Sequence, residues 1–331
     1  MNQTQFDQFF SSSYTLSGES IDPESGTIEN GFLTPKPGSG SQIPIIQSIP
    51  RFVEGKNYAE NFGLQWNEYQ STQLDSRNGS LQTFQRFYKF TKWKPRELFG
   101  KTILEVGSGA GRFTEILLEA GAKVVSFDYS NAVDANLKNN ENKGDLLLFQ
   151  GDLYNMPMED EQFDFVFCYG VLQHTPDPVA AFQSIYKKLK PGGKISIDYY
   201  LKTRKLTPWS TPKYAWRNRT SKMEPKKLLK LIRFYIPLWL WADTLIRSIP
   251  KIGPKLIAFL RIPCWNYLGI GLSRKQRLEW AIMDTFDALG AAYDEPKTLE
   301  EVSEMVNTTN AIESDVFYGS NGVVANAIKP K

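Results

Sequence analysis

Histidine and cysteine are nearly absent from this 331-residue chain. The single histidine, His174, excludes a multi-histidine metal centre and any histidine-based triad elsewhere. Two cysteines, Cys168 and Cys264, supply neither a disulfide framework nor a zinc quartet, so no metal site is expected. The opening stretch MNQTQFDQFF has no basic start followed by an apolar core. It does not read as a secretory signal, and a cytoplasmic location is expected. In the amphipathic stretch around 226–243, only nine uncharged residues lie between Arg233 and Asp243. A membrane-spanning helix needs about 20.

What is present is ordinary bulk with unevenly placed charge. A hydrophobic fraction of 41% and a charged fraction of 23% suit a globular protein. The length suits one sizeable domain with appendages. The net charge of +3 conceals a segregation: residues 201–261 carry fifteen Lys/Arg and two acids, Glu224 and Asp243. Such a block points to a face that meets an acidic partner.

The stretch Thr102–Gly111, TILEVGSGAG, organises the chain. It opens as a buried strand and ends in Gly107, Gly109 and Gly111. A helical pattern over 112–120 follows, with Phe113, Ile116 and Leu117 on one face. Strand, glycine turn and helix form the first unit of a nucleotide-binding α/β sheet. The dinucleotide fingerprint fails, because its third glycine falls on Arg112 or on Thr114. The phosphate-binding P-loop fails too, since no Gly-Lys-Ser/Thr follows. The glycines are expected to let backbone approach a ligand closely.

From 101 to 200 strands and helices alternate. Strands are expected at 102–106, 123–128, 146–150, 163–169 and 194–200, with helices around 131–139 and 178–189. Lys190-Pro-Gly-Gly193 reads as a tight turn before the fifth strand. A helix at 298–308 and two strands at 311–318 and 322–328 close the chain, and Asn321-Gly322 between them is a hairpin signal. Strand–helix alternation predicts a parallel sheet with helices on both faces. Upstream, Tyr58, Phe62, Trp66 and Tyr69 recur at helical spacing. They read as core packing or as a lid over a site, and 86–93 adds a second aromatic cluster.

Acid-x-Gly-x-Gly-x-Gly from Glu105, Asp128 at the end of the second strand, Gly151-Asp152-Leu153 after the third, and Asp164 to His174 before Leu189-Lys-Pro-Gly-Gly193 form one series. The series resembles the motifs of the class I S-adenosylmethionine methyltransferases, most closely the ubiquinone and menaquinone biosynthesis branch. The resemblance covers 101–200 and 290–331. It implies a doubly wound, seven-stranded, mostly parallel α/β sheet ending in an antiparallel hairpin, with S-adenosylmethionine as cofactor. It implies cofactor contacts from Glu105, Gly107, Ser108, Gly109, Gly111, Asp128, Tyr129, Asp152, Leu153, Cys168 and Gly170. A carboxylate at 128 suits the two ribose hydroxyls; the acid matching Asp152 meets the adenine amino group in the family. Asp152 could equally cap a turn, and Cys168 could be a small core residue. His174 lies where the family's histidine sits near the methyl donor. It reads either as a general base or as a residue fixing the loop before Pro176. Tyr58, Phe62, Trp66 and Tyr199 are expected to line the acceptor site.

Residues 1–50, rich in Ser, Gly and Pro, read as a flexible segment or linker. The pattern Ile28–Leu33 followed by 43–52 also resembles the zinc-ribbon segment preceding some of these methyltransferases, without its cysteines, hence a metal-free remnant. Residues 51–99 read as the aromatic lid, 100–200 as the cofactor core, 201–285 as a basic helical insertion and 286–331 as the closing helix and hairpin. The insertion and its flank hold Trp209, Trp216, Trp239, Trp241, Trp265 and Trp280. In 226–236 Leu and Ile alternate with Lys226, Lys227, Lys230 and Arg233, an amphipathic basic helix that Pro237 should break or kink. The insertion reads first as a substrate cap and second as peripheral contact with anionic membrane. Nucleic-acid binding ranks last, because no RNA-binding module is visible. The expected activity is methyl transfer to a small-molecule or lipid- or glycan-linked acceptor, with oxygen favoured. The alternative is a non-catalytic S-adenosylmethionine-binding or membrane-associated accessory protein.

Overall fold

The computed structural model describes residues 1–36, 40–54, 56–202, 212–269 and 271–331. Trp209 lies outside them.

The N-terminal segment is built, not loose. Helix α1 (Gln3–Phe9) starts at a reciprocal cap between Asn2 and Gln5. Strands β1 (Tyr14–Ile21), β2 (Ile28–Pro35), β3 (Ile43–Ile46) and β4 (Ile49–Pro50) form an antiparallel sheet in that order. The expectation of a flexible linker is corrected by its aromatics. Phe9 stacks on Phe163 at 5.8 Å, and Phe10 and Phe52 meet Phe149 at 6.2 and 5.8 Å. Composition hid this because the polar residues occupy the exposed positions between Ile28, Leu33, Ile45 and Ile49, all buried. The module ends beside the edge strand of the main sheet, where Arg51 bridges to Gln150 and shields that edge.

Helices α2 (Glu60–Glu68), α3 (Asp75–Asn78), α4 (Gln82–Thr91) and α5 (Pro95–Leu98) follow. Then come β5 (Thr102–Val106), α6 (Arg112–Glu119), β6 (Lys123–Asp128), α7 (Val133–Asn140), β7 (Leu146–Gln150), β8 (Phe163–Cys168), α8 (Pro178–Lys187) and β9 (Leu189–Tyr200). The segment expected as a turn at 190–193 lies inside β9, whose register against β8 shifts between Phe163 and Phe165. Helices α9 (Lys213–Thr220), α10 (Pro225–Arg247), α11 (Gly253–Leu260) and α12 (Arg274–Gly290) make the insertion, and α13 (Leu299–Asn307), β10 (Ile312–Tyr318) and β11 (Gly322–Ile328) close the chain.

The seven-stranded sheet runs β7-β6-β5-β8-β9-β11-β10, with β11 antiparallel to its neighbours. The order reverses between β5 and β8, the switch point at which open α/β sheets bind ligands. Alternation divides each central strand between two cores. Leu104, Val106, Ile195, Ile197 and Tyr199 face one side, with α8 and α13. Ile103, Phe165 and Phe167 face the other, where Phe87, Trp93 and Phe113 pack. The second aromatic cluster of the sequence is therefore core.

Two expectations for the insertion change. Helix α10 runs unbroken through Pro237. That residue stands on the solvent side, where water can serve the Arg233 carbonyl deprived of its donor. The boundary placed at 285 falls within α12, because the apolar face of this helix continues from Ala281 and Met283 to Phe286 and Leu289 against α10.

Candidate active site

A cavity of about 880 Å³ opens at the C-terminal ends of β5, β6, β8 and β9. Its floor is the turn after β5. Gly107 and Gly109 have φ of +71° and +54°, which side chains rarely adopt. A Cβ on Gly107 would fall 2.2 Å from Val171, and one on Gly109 3.0 Å from the Trp66 ring. The turn thus needs glycine partly to admit the protein's own side chains, a constraint the sequence reading had assigned to a ligand alone.

Asp128 ends β6 and lines the cavity. Its Oδ2 accepts from the Gly109 amide at 3.0 Å, and its Oδ1 accepts from the Ser130 amide and hydroxyl at 2.9 and 2.7 Å. Burial raises its pKa, and those bonds work against the rise. Tyr129 stacks beside Tyr58 at 4.7 Å. Asp152 accepts from the Tyr154 amide at 2.9 Å, the turn-capping role, while still facing the cavity with Leu153. Gly170 lines the same wall and donates its amide to Asp198 at 2.5 Å.

Four expected contacts do not reach the cavity. Glu105 is sealed behind the glycine turn and accepts from Thr114 and from Ser126 at 2.8 Å. Burial pushes its carboxyl up to about 7. Gly111 caps α6 against Asn136 and Asn140. Cys168 is wholly buried and its thiol is held well above its usual range by that burial, so the core reading stands. Tyr199 lies in the opposite core, with its hydroxyl donating to the Pro178 carbonyl at 3.2 Å. A strand turns successive side chains to opposite faces, so Tyr200 faces the cavity instead.

The roof comes from distant sequence. Tyr58, Phe62 and Trp66, on and just before α2, cover the glycine turn. His174 packs its ring on Phe62 at 5.1 Å and on Tyr200 at 5.3 Å. Its Nδ1 lies 2.9 Å from the Tyr293 carbonyl. A carbonyl only accepts, so this bond puts a proton on Nδ1, and in the neutral imidazole the lone pair is then on Nε2. Nε2 is buried, has no hydrogen-bond partner among the described residues, and stands 4.0 Å from Asp287 Oδ1, which is likewise unpartnered among them. Asp287 Oδ2 accepts from the Tyr200 hydroxyl at 3.1 Å.

The sequence reading missed Asp284, Asp287 and Tyr200. The available signal was DTFD in α12, two carboxylates three residues apart in the mainly apolar second half of the helix, 280–290. Burial, then Asp287, pushes the Asp284 carboxyl up to about 7. Across the cavity, Arg86 pairs with Asp198 at 2.7 Å, and burial, then Arg86, brings Arg112 down to about 10.

The donor set fits S-adenosylmethionine. Ser108 Oγ is buried beside the cavity with no partner among the described residues, Asp128 Oδ2 keeps a lone pair beyond the bond from Gly109, and aromatic rings cover the space between them. Residues 104–197 match the family model described as a methyltransferase domain. With the strand order and the switch-point cavity, they are the core of a class I S-adenosylmethionine-dependent methyltransferase domain.

Among curated proteins, the chain is 34% identical over 116 residues to a tRNA U34 carboxymethyltransferase of Nautilia profundicola, covering 33% of this chain and 39% of that one. It is 32% identical over 104 residues to a ubiquinone biosynthesis O-methyltransferase of Pseudomonas paraeruginosa (30% and 45%). It is 32% identical over 127 residues to that of Actinobacillus pleuropneumoniae (35% and 53%). The chain therefore spans about half or less of the length of these relatives. Among solved structures, phosphoethanolamine N-methyltransferase 2 of Haemonchus contortus, in complex with S-adenosyl-L-methionine, is 16% identical with a TM-score of 0.42, covering 76% of this chain and 52% of that one.

Proposed function

We propose that this chain transfers a methyl group from S-adenosylmethionine to an oxygen of a small-molecule or lipid- or glycan-linked acceptor. The observation that carries the reading is the cavity itself. One wall holds the glycine turn and Asp128, and the other holds a buried imidazole nitrogen with no partner among the described residues. Gly107, Ser108, Gly109, Asp128, Tyr129, Asp152, Leu153 and Gly170 would hold the cofactor, with Asp128 on the ribose. When bound, the cofactor supplies a methyl on a sulfonium, already activated for in-line displacement.

The residues of this chain do the rest. Tyr58, Phe62 and Trp66 exclude water from the space over the turn. Fixing both reactants in line is worth about 7–11 kcal/mol of barrier. His174 Nε2, held by the Tyr293 carbonyl, takes the proton of an acceptor hydroxyl. Asp287 steadies the imidazolium that results, while Tyr200 keeps that carboxylate in place. Relatives named O-methyltransferases support oxygen as the acceptor atom. The basic charge over 201–261 supports a peripheral contact with anionic membrane, on which a lipid-linked acceptor would be met.

The test has two parts. Titration calorimetry should show binding of S-adenosylmethionine and of its demethylated product. Incubation with methyl-labelled cofactor and a cell extract should label an extractable small molecule or lipid. Binding of NAD in place of S-adenosylmethionine would sink the reading. Cofactor binding without label transfer to any fraction would leave an accessory protein.

A further inference from the structure

We propose that α10 and α11 form a docking face that seats exposed apolar side chains in the headgroup region of an anionic lipid surface. Helix α10 buries Leu228, Leu229, Ile232, Ile236 and Leu240 on one side, against α12. Its other side shows Phe234, Leu238, Trp241 and Leu245, between 50% and 72% exposed. Their spacing of four, three and four residues puts them on one helix face. Helix α11 folds back where Gly253 packs on the Ile246 carbonyl, and it adds Ile252, Leu256 and Phe259, all exposed. Single exposed apolar residues are common; a run along two packed helices marks an interaction surface.

Charge names the partner. Of the two acids in 201–261, Asp243 is buried and bonded to Arg247 at 2.7 Å, and Glu224 pairs with Lys227 at 3.0 Å. Lys226 and Lys230 at the start of α10, and Lys251 and Lys255 around α11, are exposed with no ion pair among the described residues. An apolar stripe bordered by cations, with no unpaired acid, is the pattern of a helix lying in the interface of an anionic bilayer. No described helix is long and apolar enough to cross one. Arg233 takes no part, because it is committed to Glu68 at 2.7 Å and to the Tyr69 hydroxyl at 3.0 Å on the α2 side. Trp265, just after α11, lines the methyl-transfer cavity. Docking would therefore hold the cavity near the lipid, a consequence that rests on the proposed activity, whereas the docking itself does not.

Vesicle co-sedimentation of the full chain tests this, with phosphatidylcholine vesicles made with and without phosphatidylglycerol. The chain should bind the anionic vesicles, bind the neutral ones weakly, and be released by salt, since surface charge acts within a Debye length of about 8 Å at physiological ionic strength. Replacing Phe234→Ser, Trp241→Ser and Phe259→Ser together should weaken binding at least about tenfold. Replacing Lys226→Gln, Lys230→Gln and Lys251→Gln should do the same. All six side chains are exposed, so cofactor titration should give the wild-type affinity and confirm folding independently of membrane binding. The proposal is overturned if the wild type ignores anionic vesicles at low salt, or if both triple variants bind like the wild type. A dimer that the apolar variant dissociates, with no vesicle binding, would show that a second copy covers the face.

Discussion

The floor and the roof of the cavity are made differently. The floor is continuous with the sheet: from Gly107 to Gly170, each contributing residue stands at or just past the end of a strand, and hydrogen bonds such as that from the Gly109 amide to the Asp128 carboxylate lock it. The roof is assembled from α2, α9 and α12 and from the segment around Tyr293, elements that no local rule brings together. Its polar groups are left part-satisfied: Asp287 Oδ1, unpartnered among the described residues, faces the equally unpartnered Nε2 of His174 just past β8. A rigid floor and an under-satisfied roof suit a site that holds one constant ligand and accommodates a second, chosen one.

The largest test crosses the divide. His174→Ala should lower kcat about a hundredfold or more. It should leave cofactor affinity unchanged in titration calorimetry, with turnover measured on the acceptor found by labelling. Equal loss of cofactor binding would assign His174 to the floor.

Asp128→Ala strikes the floor alone. It removes contacts to the ligand, each worth about 1.5–3 kcal/mol for a charged partner, and frees the Gly109 and Ser130 amides. Calorimetry should show affinity for S-adenosylmethionine down at least tenfold, which is about 1.4 kcal/mol. Unchanged affinity would put the ribose elsewhere.

The roof has its own signature in pH. Asp284 holds its proton up to about 7 in the folded chain, whereas the unfolded chain releases it near the ordinary Asp value of about 3.9. The folded state therefore binds more protons between those values, and stability falls as pH rises through that window. Asp284→Asn should remove part of that fall, so that its Tm advantage over the wild type grows by roughly 5 °C from pH 4 to pH 8. Glu105 contributes a parallel fall from beneath the floor, and the variant would leave that part in place. Identical pH profiles for variant and wild type would mean that Asp284 is solvated.

The smallest effect is expected at Cys168. Cys168→Ala should leave cofactor affinity within about twofold, because a residue that touches no ligand acts only through packing. A tenfold loss would return Cys168 to the site.

The main sheet was legible because each strand–helix unit is local. Apolar strands, Asp128 at a strand end and Asn321-Gly322 between strand-like runs each state a structure within a dozen residues. The N-terminal module was not, because Phe9 and Phe10 find their partners at Phe163 and Phe149, contacts that composition cannot display. Tyr199 shows how finely burial must be known, since a shift of one residue along a strand exchanges core for cavity. The DTFD pair in α12 was visible, but nothing in its own neighbourhood said that the helix returns over the sheet.

By itself, then, the sequence determined the strands of the parallel sheet, the closing hairpin and the glycine turn after the first strand, because period, spacing and backbone conformation are local properties. Only the tertiary structure decided that His174 keeps its lone pair on Nε2, that Asp287 faces it, and that Phe234, Leu238 and Trp241 stay uncovered. Each of those depends on which distant element packs against which face, and the long loops that bring such elements together carry no pattern that specifies the meeting.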